Sequence, residues 1–431
     1  MVVGSRIWAK GLALTVAVAC GLVAGCSSAS SKSGSPPLAI PGVVGGSSAG
    51  TGTAGTAGTV LVGGFAPGGT ADPWAAGALA YFQWLNASGG VLGRAISYKV
   101  LDDHGGTALV PSLVHRLVQQ DAVFALFGVQ GTAQNLAASP YLTQSGVPDL
   151  FAGSVCGCFN SAVTHPEVYT WPINATREGE ILGAFAARRF EGQKVGVLYS
   201  PDESGQDGLA GFVSAAGGLR LARKAAVGGV SGLPAALDSL KAAGASVVVA
   251  FTSAELSGGL GAALARISYS PRLVVAGGPG TSLPGLPDGT ITDSFLPEAG
   301  MPARSAGASW VALFSRIARR YLPKVPLTPV VIDGMAAAYE FAAALFRAGP
   351  ALNRQSLVTA LTGLAQGPAM APLAYTQSDH GGVSGAYMGL VRGGSLTPLT
   401  GAVVADGIAA GVVSSYGYPQ QTAPASGIPP H

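Results

Sequence analysis

Several short stretches of this chain carry side chains of the kinds that do chemistry. Asp102-Asp103-His104 sets two carboxyls beside an imidazole, the makings of a metal or acid–base cluster. It also ends an apolar run just before Gly105-Gly106, where Asp and His serve as capping and turn residues. Cys156-Gly157-Cys158 places two thiols one residue apart, either closed into a tight ring or free in a loop. A zinc site needs more ligands, and His165 alone is near in sequence. Gly46-Ser47-Ser48-Ala49-Gly50 spells the Gly-x-Ser-x-Gly of a nucleophile elbow, but an elbow needs a strand before it and a helix after it. Here both flanks are Ser, Gly and Ala. Asp379-His380-Gly381-Gly382 reads as turn chemistry in a C-terminal hairpin. His115 lies in a helical stretch, and no two histidines have metal spacing. Gly277-Gly278-Pro279-Gly280 does not match G-x-G-x-x-G, which removes a dinucleotide site. Asn174-Ala175-Thr176 is a formal sequon, with meaning only in a cell that glycosylates it. No nucleophile, base and orienter stand together, so the sequence argues against an enzyme and calls for no cofactor and no metal.

What remains is binding, and the composition narrows it. The chain has 431 residues, 48% of them hydrophobic and 10% charged, with a net charge of +3. Near-neutral charge excludes a nucleic-acid binder, which needs a basic face. The length supplies a large core without staples. Mean hydropathy is +0.42, yet beyond the N-terminus no uninterrupted apolar run reaches the ~18 residues of a membrane helix. The score comes from Ala, Val and Leu set among 65 Gly.

The first residues are an address. Arg6 and Lys10 precede an apolar run, Gly11 to Ala24, which is short for a span. Leu22-Val23-Ala24-Gly25-Cys26 resembles the lipobox of bacterial lipoproteins. The resemblance implies diacylglycerol transfer to Cys26, cleavage of residues 1–25, and a chain held at the outer side of the cell membrane by two acyl chains. Residues 26–58, mostly Ser, Gly, Ala, Thr and Pro, read as a flexible tether reaching on the order of 30 Å.

Past residue 58, short Val- and Leu-rich runs alternate with amphipathic stretches. Strands are predicted at Thr59–Phe65, Ile96–Leu101, Phe124–Phe127, Lys194–Tyr199, Ser246–Phe251 and Arg272–Ala276. Helices are predicted at Trp74–Asn86, Leu109–Gln120, Glu178–Phe190, Gly208–Ala216 and Leu233–Ala243. Strands apolar on both faces, separated by helices, predict doubly wound parallel sheets in an α/β protein. Ligands on such sheets bind beyond the carboxyl ends of the strands. The tail after Ser415 reads as disordered.

Three segments then resemble one family. They are Val60-Leu61-Val62-Gly63-Gly64-Phe65-Ala66-Pro67 with Asn86-Ala87-Ser88-Gly89-Gly90-Val91-Leu92-Gly93; Leu101-Asp102-Asp103-His104 with Leu126-Phe127-Gly128; and Lys194-Val195-Gly196-Val197-Leu198-Tyr199 with Gly205-Gln206-Asp207-Gly208. Together they resemble the type I periplasmic binding proteins of branched-chain amino acid (Leu/Ile/Val) ABC transporters, over roughly residues 58 to 405. The resemblance implies two α/β lobes, residues 59–172 with 301–370 and residues 173–300 with 371–415. Three crossings would join them, near Trp171–Asn174, Leu296–Gly300 and Pro368–Pro372. It implies a monomer that captures a small-molecule ligand between closing lobes and passes it to an ABC permease and ATPase.

The implied site follows the strand ends. Pro67 and Thr70 would lie on the first loop, with Trp74 packing on the ligand's apolar part. Gln130, Thr132, Ala133 and Gln134 resemble the segment that binds an α-carboxylate with helix N-terminal amides and a hydroxyl. Gly153 and Ser154 match a second such loop. The second lobe departs from the pattern. Ser204 stands where the amino-acid binders have a Tyr, Thr252 begins a Thr-Ser-Ala-Glu stretch in place of another, and Gly278 lies in the glycine run where they place a Glu for the ammonium. A buried ammonium without a carboxylate is expensive. Either Asp202, Glu203 or Glu255 substitutes, or the ligand has no ammonium. A surface sensor for a signalling partner uses the same fold, and an exported enzyme is a third reading.

Overall fold

The computed structural model describes residues 58–277, 285–298, 301–364, 367–405 and 411–431. Cys26, the tether and Gly278 lie outside the described residues.

The first lobe is built on β1 (Val60–Ala66), β2 (Ile96–Asp102), β3 (Ala125–Phe127), β4 (Asp149–Ala152) and β5 (Val168–Thr170), all parallel in the order β2-β1-β3-β4-β5. Every residue of β3, β4 and β5 is buried, as a sheet covered by helices on both faces requires. Helices α1 (Pro73–Ala87), α2 (Val110–His115) and α3 (Thr132–Ser145) connect the strands. The stretch read as one helix to Gln120 leaves α-helical geometry at Arg116 and widens into a π turn through Gln120. Asp72 caps α1 by accepting from the Ala75 amide at 3.0 Å, with Pro73 in its first turn.

The chain then enters the second lobe through α4 (Ala175–Arg189), capped by Asn174, which accepts from the Arg177 amide at 2.9 Å. Here β6 (Lys194–Tyr199), α5 (Glu203–Ala215), β7 (Arg220–Ala226), α6 (Leu233–Ala242), β8 (Val247–Phe251), α7 (Ala254–Arg266), β9 (Arg272–Val275) and β10 (Ile291–Ser294) follow. The chain returns to the first lobe for α8 (Ala306–Tyr321), α9 (Pro329–Ala348) and α10 (Arg354–Leu361). Helix α9 is long and apolar enough to cross a membrane, but it is packed in the core of the first lobe. The second sheet is completed by antiparallel β11 (Gly385–Arg392), β12 (Ser395–Ala405) and β13 (Val413–Ser415), giving the order β13-β12-β11-β10-β9-β8-β6-β7.

The turn expected around Asp379 is present, with the Thr376 amide donating to Asp379 O at 2.8 Å. It closes a short antiparallel loop ahead of β11, in which Leu373 pairs with Val383. The tail read as disordered is packed instead. Tyr81 donates its hydroxyl to Gly427 O at 3.0 Å, Trp310 its indole N–H to Gln421 O at 2.8 Å, and His431 stacks on Phe346 at 4.5 Å. Composition suggested disorder because the tail has few apolar residues; its backbone carbonyls supply the docking.

The abundance of glycine has a packing cause. Two helix pairs meet backbone against backbone. A Cβ on Gly179 of α4 would fall 2.2 Å from Gly208 O, and one on Gly211 of α5 2.1 Å from Thr176 O. A Cβ on Gly77 of α1 would fall 2.2 Å from Val331 O, and one on Gly334 of α9 1.9 Å from Trp74 O. Gly211→Ala is therefore expected to cost about 1–3 kcal/mol by forcing α4 and α5 apart. Urea unfolding measures it, and a loss below ~0.5 kcal/mol would show that the helix pair yields.

Candidate ligand cleft

On the first lobe the strand ends carry the expected loops. Pro67 and Thr70 are exposed after β1. Trp74 is not available to a ligand: it is 4% exposed, its ring packs on Phe127 at 5.5 Å, and it fills the space where Gly128 has no side chain. Its indole and that of Trp171 both bond the Asp333 carboxyl. Burial pushes Asp333 up to about 7 against those two donors. Gln130 is turned back, its amide donating to Gly128 O at 3.0 Å, and it bridges to Gly153. Thr132 and Ser154 come together, hydroxyl to hydroxyl at 2.8 Å. Ala133 is exposed, and Gln134 folds its amide against Gly131. No side chain caps α3, so its first turn keeps the partial positive charge of a helix N-terminus.

The loop after Ser154 reaches the second lobe. Cys156 and Cys158 are joined by a disulfide, the alternative that the sequence left open. The Gly157 amide between them donates to Asp207 of α5 at 3.2 Å, and the Ala175 amide of α4 donates to Val155 O at 2.8 Å. The two sulfurs lie beside Glu203, but they are bonded to each other.

Below this loop is a cavity of about 210 Å³. Its walls are the carboxyl ends of β6, β8 and β9 and the first turn of α4, with Val155 as the first lobe's contribution. Three residues singled out from sequence line it: Asp202, Ser204 and Thr252. Asp202 is committed to capping α5, accepting from the Gly205 amide at 2.9 Å and the Ser200 hydroxyl at 3.1 Å. Thr252 bonds Ser257 at 3.0 Å. Glu255 is exposed on the first turn of α7 and does not line the cavity. Phe251, Ala175 and Ala276 give the cavity an apolar side, and Ser200 and Ser253 add hydroxyls.

The group that sequence reasoning missed is Glu178. It lines the cavity from α4 and is 4% exposed. Its carboxyl bonds that of Asp293 on β10, itself 3% exposed. Asp293 also accepts from the Gly277 amide at 2.7 Å. Burial raises Asp293 to about 6, and the Gly277 and Glu178 bonds hold it from going higher. A Glu in a first helical turn reads as a complement to the helix dipole. Only the path of β10 shows the acid beneath it.

The cavity thus lies between two lobes, at strand carboxyl ends, and is roofed by a loop from the opposite lobe. That geometry suits a small solute better than a polymer. Comparison with known structures gives the same architecture. A branched-chain amino acid ABC transporter protein from Thermus thermophilus, solved with bound valine, matches with a TM-score of 0.67 at 20% identity over 82% of this chain and 98% of that one. A solute-binding protein of an ABC transporter from R. palustris, in complex with benzoate, matches with a TM-score of 0.66 at 18% identity over 81% and 99%. A fatty acid ABC transporter substrate-binding protein from Thermomonospora curvata matches with a TM-score of 0.62 at 16% identity over 81% and 93%. No curated protein matches in sequence. The family model for periplasmic binding proteins matches residues 59–395, and with two lobes wound in the type I manner the chain belongs to the periplasmic binding protein family.

Proposed function

We propose that this protein is an extracytoplasmic solute receptor, anchored through lipidated Cys26, that closes its lobes on one small molecule and hands it to an ABC importer. The observation that carries this is the cavity at the carboxyl ends of β6, β8 and β9 with Val155 of the opposite lobe in its wall. The relatives support the class, since the Thermus thermophilus and R. palustris proteins were solved with valine and with benzoate. Those two ligands share little beyond a carboxylate, so the ligand of this chain follows from its own residues. Thr132, Ser154 and the start of α3 offer the first lobe's half of a polar site, and Ser204 and Thr252 the second lobe's.

The test is a thermal-shift screen of the mature chain carrying Cys26→Ser, against amino acids, amides, carboxylates and small amines. A solute at a hundred times its Kd should stabilise the protein by about 2.7 kcal/mol. The same solute should lower the radius of gyration in solution scattering as the lobes close. A chain that no small solute stabilises would sink the receptor reading. One that is stabilised without contraction would sink the closing mechanism.

A further inference from the structure

Carboxyl groups that are both ionised are acceptors only and cannot hydrogen-bond one another. The bond between Glu178 and Asp293 therefore contains a proton, held between two side chains that are 4% and 3% exposed. Among the described residues lining the cavity there is no Lys, Arg or His to balance the charge that remains. The adjacent basic residue, Arg177, bonds Asp379 in the loop ahead of β11. An anionic solute brought to this wall would meet Glu178 and Asp202 with no cation to offset them. A cation would meet one buried carboxylate, hydroxyls from Ser200, Ser204, Thr252 and Ser253, and the ring of Phe251.

We propose that the solute carries a positively charged nitrogen with N–H donors, that this nitrogen seats on Glu178, and that it displaces the proton which Glu178 and Asp293 share. The proposal rests on the cavity being the ligand site. It names the class as small organic cations, ammonium or amidinium, whose apolar part packs toward Phe251, Ala175 and Ala276. It also moves the counter-charge to α4 and β10, away from Asp202, Glu203 and Glu255, the acids that the strand-end loops suggested. On binding, one proton leaves the carboxyl pair for the solvent, and Glu178 then faces the cation as a carboxylate with ionised Asp293 behind it.

The proton makes binding depend on pH. Facing Asp293 are Glu178 from α4, the Gly277 amide beyond β9 and Tyr387 from β11. Behind Tyr387, Glu298 is pushed up to about 7 by burial and bonds Ser294 at 3.2 Å. Since burial places Asp293 at about 6, affinity for a cation should rise with pH through that value, by up to about tenfold per unit below it, and then level off. Glu298 titrates in a neighbouring range but does not line the cavity, so it separates from the pair by mutation.

The experiment uses the mature chain with matched probes: acetamidinium against acetamide, methylguanidinium against methylurea, and isobutylammonium against isobutanol. Thermal shift and calorimetry are run at pH 5 and pH 7. The expected result is stabilisation by a cationic member of a pair and not by its neutral isostere. Binding should release a proton at pH 5, seen as a heat that changes with the ionisation enthalpy of the buffer. Glu178→Gln should weaken the cation at least tenfold and flatten the pH slope, and Asp293→Asn should abolish the proton release. If Glu178→Gln does not fold, the matched pairs on the unaltered chain and Asp293→Asn decide. Equal binding of isosteres, an affinity unchanged by Glu178→Gln, or a pH slope that survives it would overturn the proposal. Binding of neutral or anionic solutes alone would overturn it and leave the receptor intact, whereas no binding by any solute would overturn both.

Discussion

Asp379→Ala should cost the folded protein about 3–5 kcal/mol, the range for breaking a buried ion pair from one side. Its partner, Arg177, is 2% exposed. The guanidinium lies against Gly381, where a Cβ would fall 2.5 Å from Nη1, and neither its Nε nor its Nη1 has a hydrogen-bond partner. Asp379 therefore carries most of the compensation for a buried charge. Removing it takes away the ion-pair partner that the guanidinium has among the described residues. Removing both groups, as Arg177→Met with Asp379→Ala, takes away the charge as well and should recover much of the loss, because well-packed apolar replacements of buried pairs are often neutral. Urea unfolding of the two single variants and the double measures this as a cycle. A single variant within ~1 kcal/mol of the parent, or a double no better than Asp379→Ala, would show that water reaches the site.

The location makes the pair more than a stability element. Arg177 is in the first turn of α4, one residue before Glu178. Asp379 is in the loop ahead of β11 that also holds the end of the first lobe's sheet. The Thr170 amide of β5 donates to His380 O at 3.1 Å, the Val383 amide to Trp171 O at 3.0 Å, and the Tyr375 hydroxyl to Thr170 O. The ion pair thus fixes the start of the helix that lines the cavity to the strand where the other lobe ends. Loss of it should loosen the cavity wall and the hinge together.

Much of this framework was legible from sequence, for an identifiable reason. β1, β3, β6, β8 and β9 were found within a residue or so of their ends because strands buried on both faces are written as unbroken apolar runs, and β2 because its apolar residues alternate on one face. β7 was missed because it is an edge strand, Arg-Leu-Ala-Arg-Lys-Ala-Ala, with charges that guard an open edge. β10 was missed because Ile-Thr-Asp-Ser carries an acid into the sheet. That acid bonds Glu178 of the cavity wall from behind, so the weakest strand signal and the missed carboxyl pair have one cause. Trp74 failed differently. Its place at a helix start after the first strand was read correctly, but its ring fills the space left by the absence of a side chain on Gly128, which is remote in sequence. Asp202 and Thr252 were found because strand-end loops are where such folds keep polar groups, although Asp202 turned out to be occupied with its own helix.

Truncation after Ser415 should destabilise the protein by on the order of 3 kcal/mol and widen its ligand-free form. From β13, on the edge of the second lobe's sheet, the last residues run back onto the first lobe, making a fourth connection where three were expected. Gln420 donates to Pro368 O at 2.6 Å, Arg316 to Ala425 O at 3.0 Å, and Trp84 to Ser426 O at 3.2 Å, in addition to the Tyr81 and Trp310 bonds. Trp310 is 1% exposed and Tyr81 is fully buried, so removing the tail uncovers aromatic surface and orphans two donors. The entropy regained by the freed segment offsets part of this, which keeps the expected cost to a few kcal/mol. Gly427→Val provides a version with the chain intact. Gly427 has φ of 74°, and a Cβ there would meet Leu313 at 2.8 Å and the Trp84 indole nitrogen at 2.9 Å. Both changes should lower the unfolding midpoint in urea and raise the radius of gyration without ligand. An unchanged radius with a lowered midpoint would make the tail a cover for Trp310 alone. A larger radius would make it a strap that limits how far the lobes part, and truncation would then weaken solute binding, because the open state it favours must be closed again at the ligand's expense.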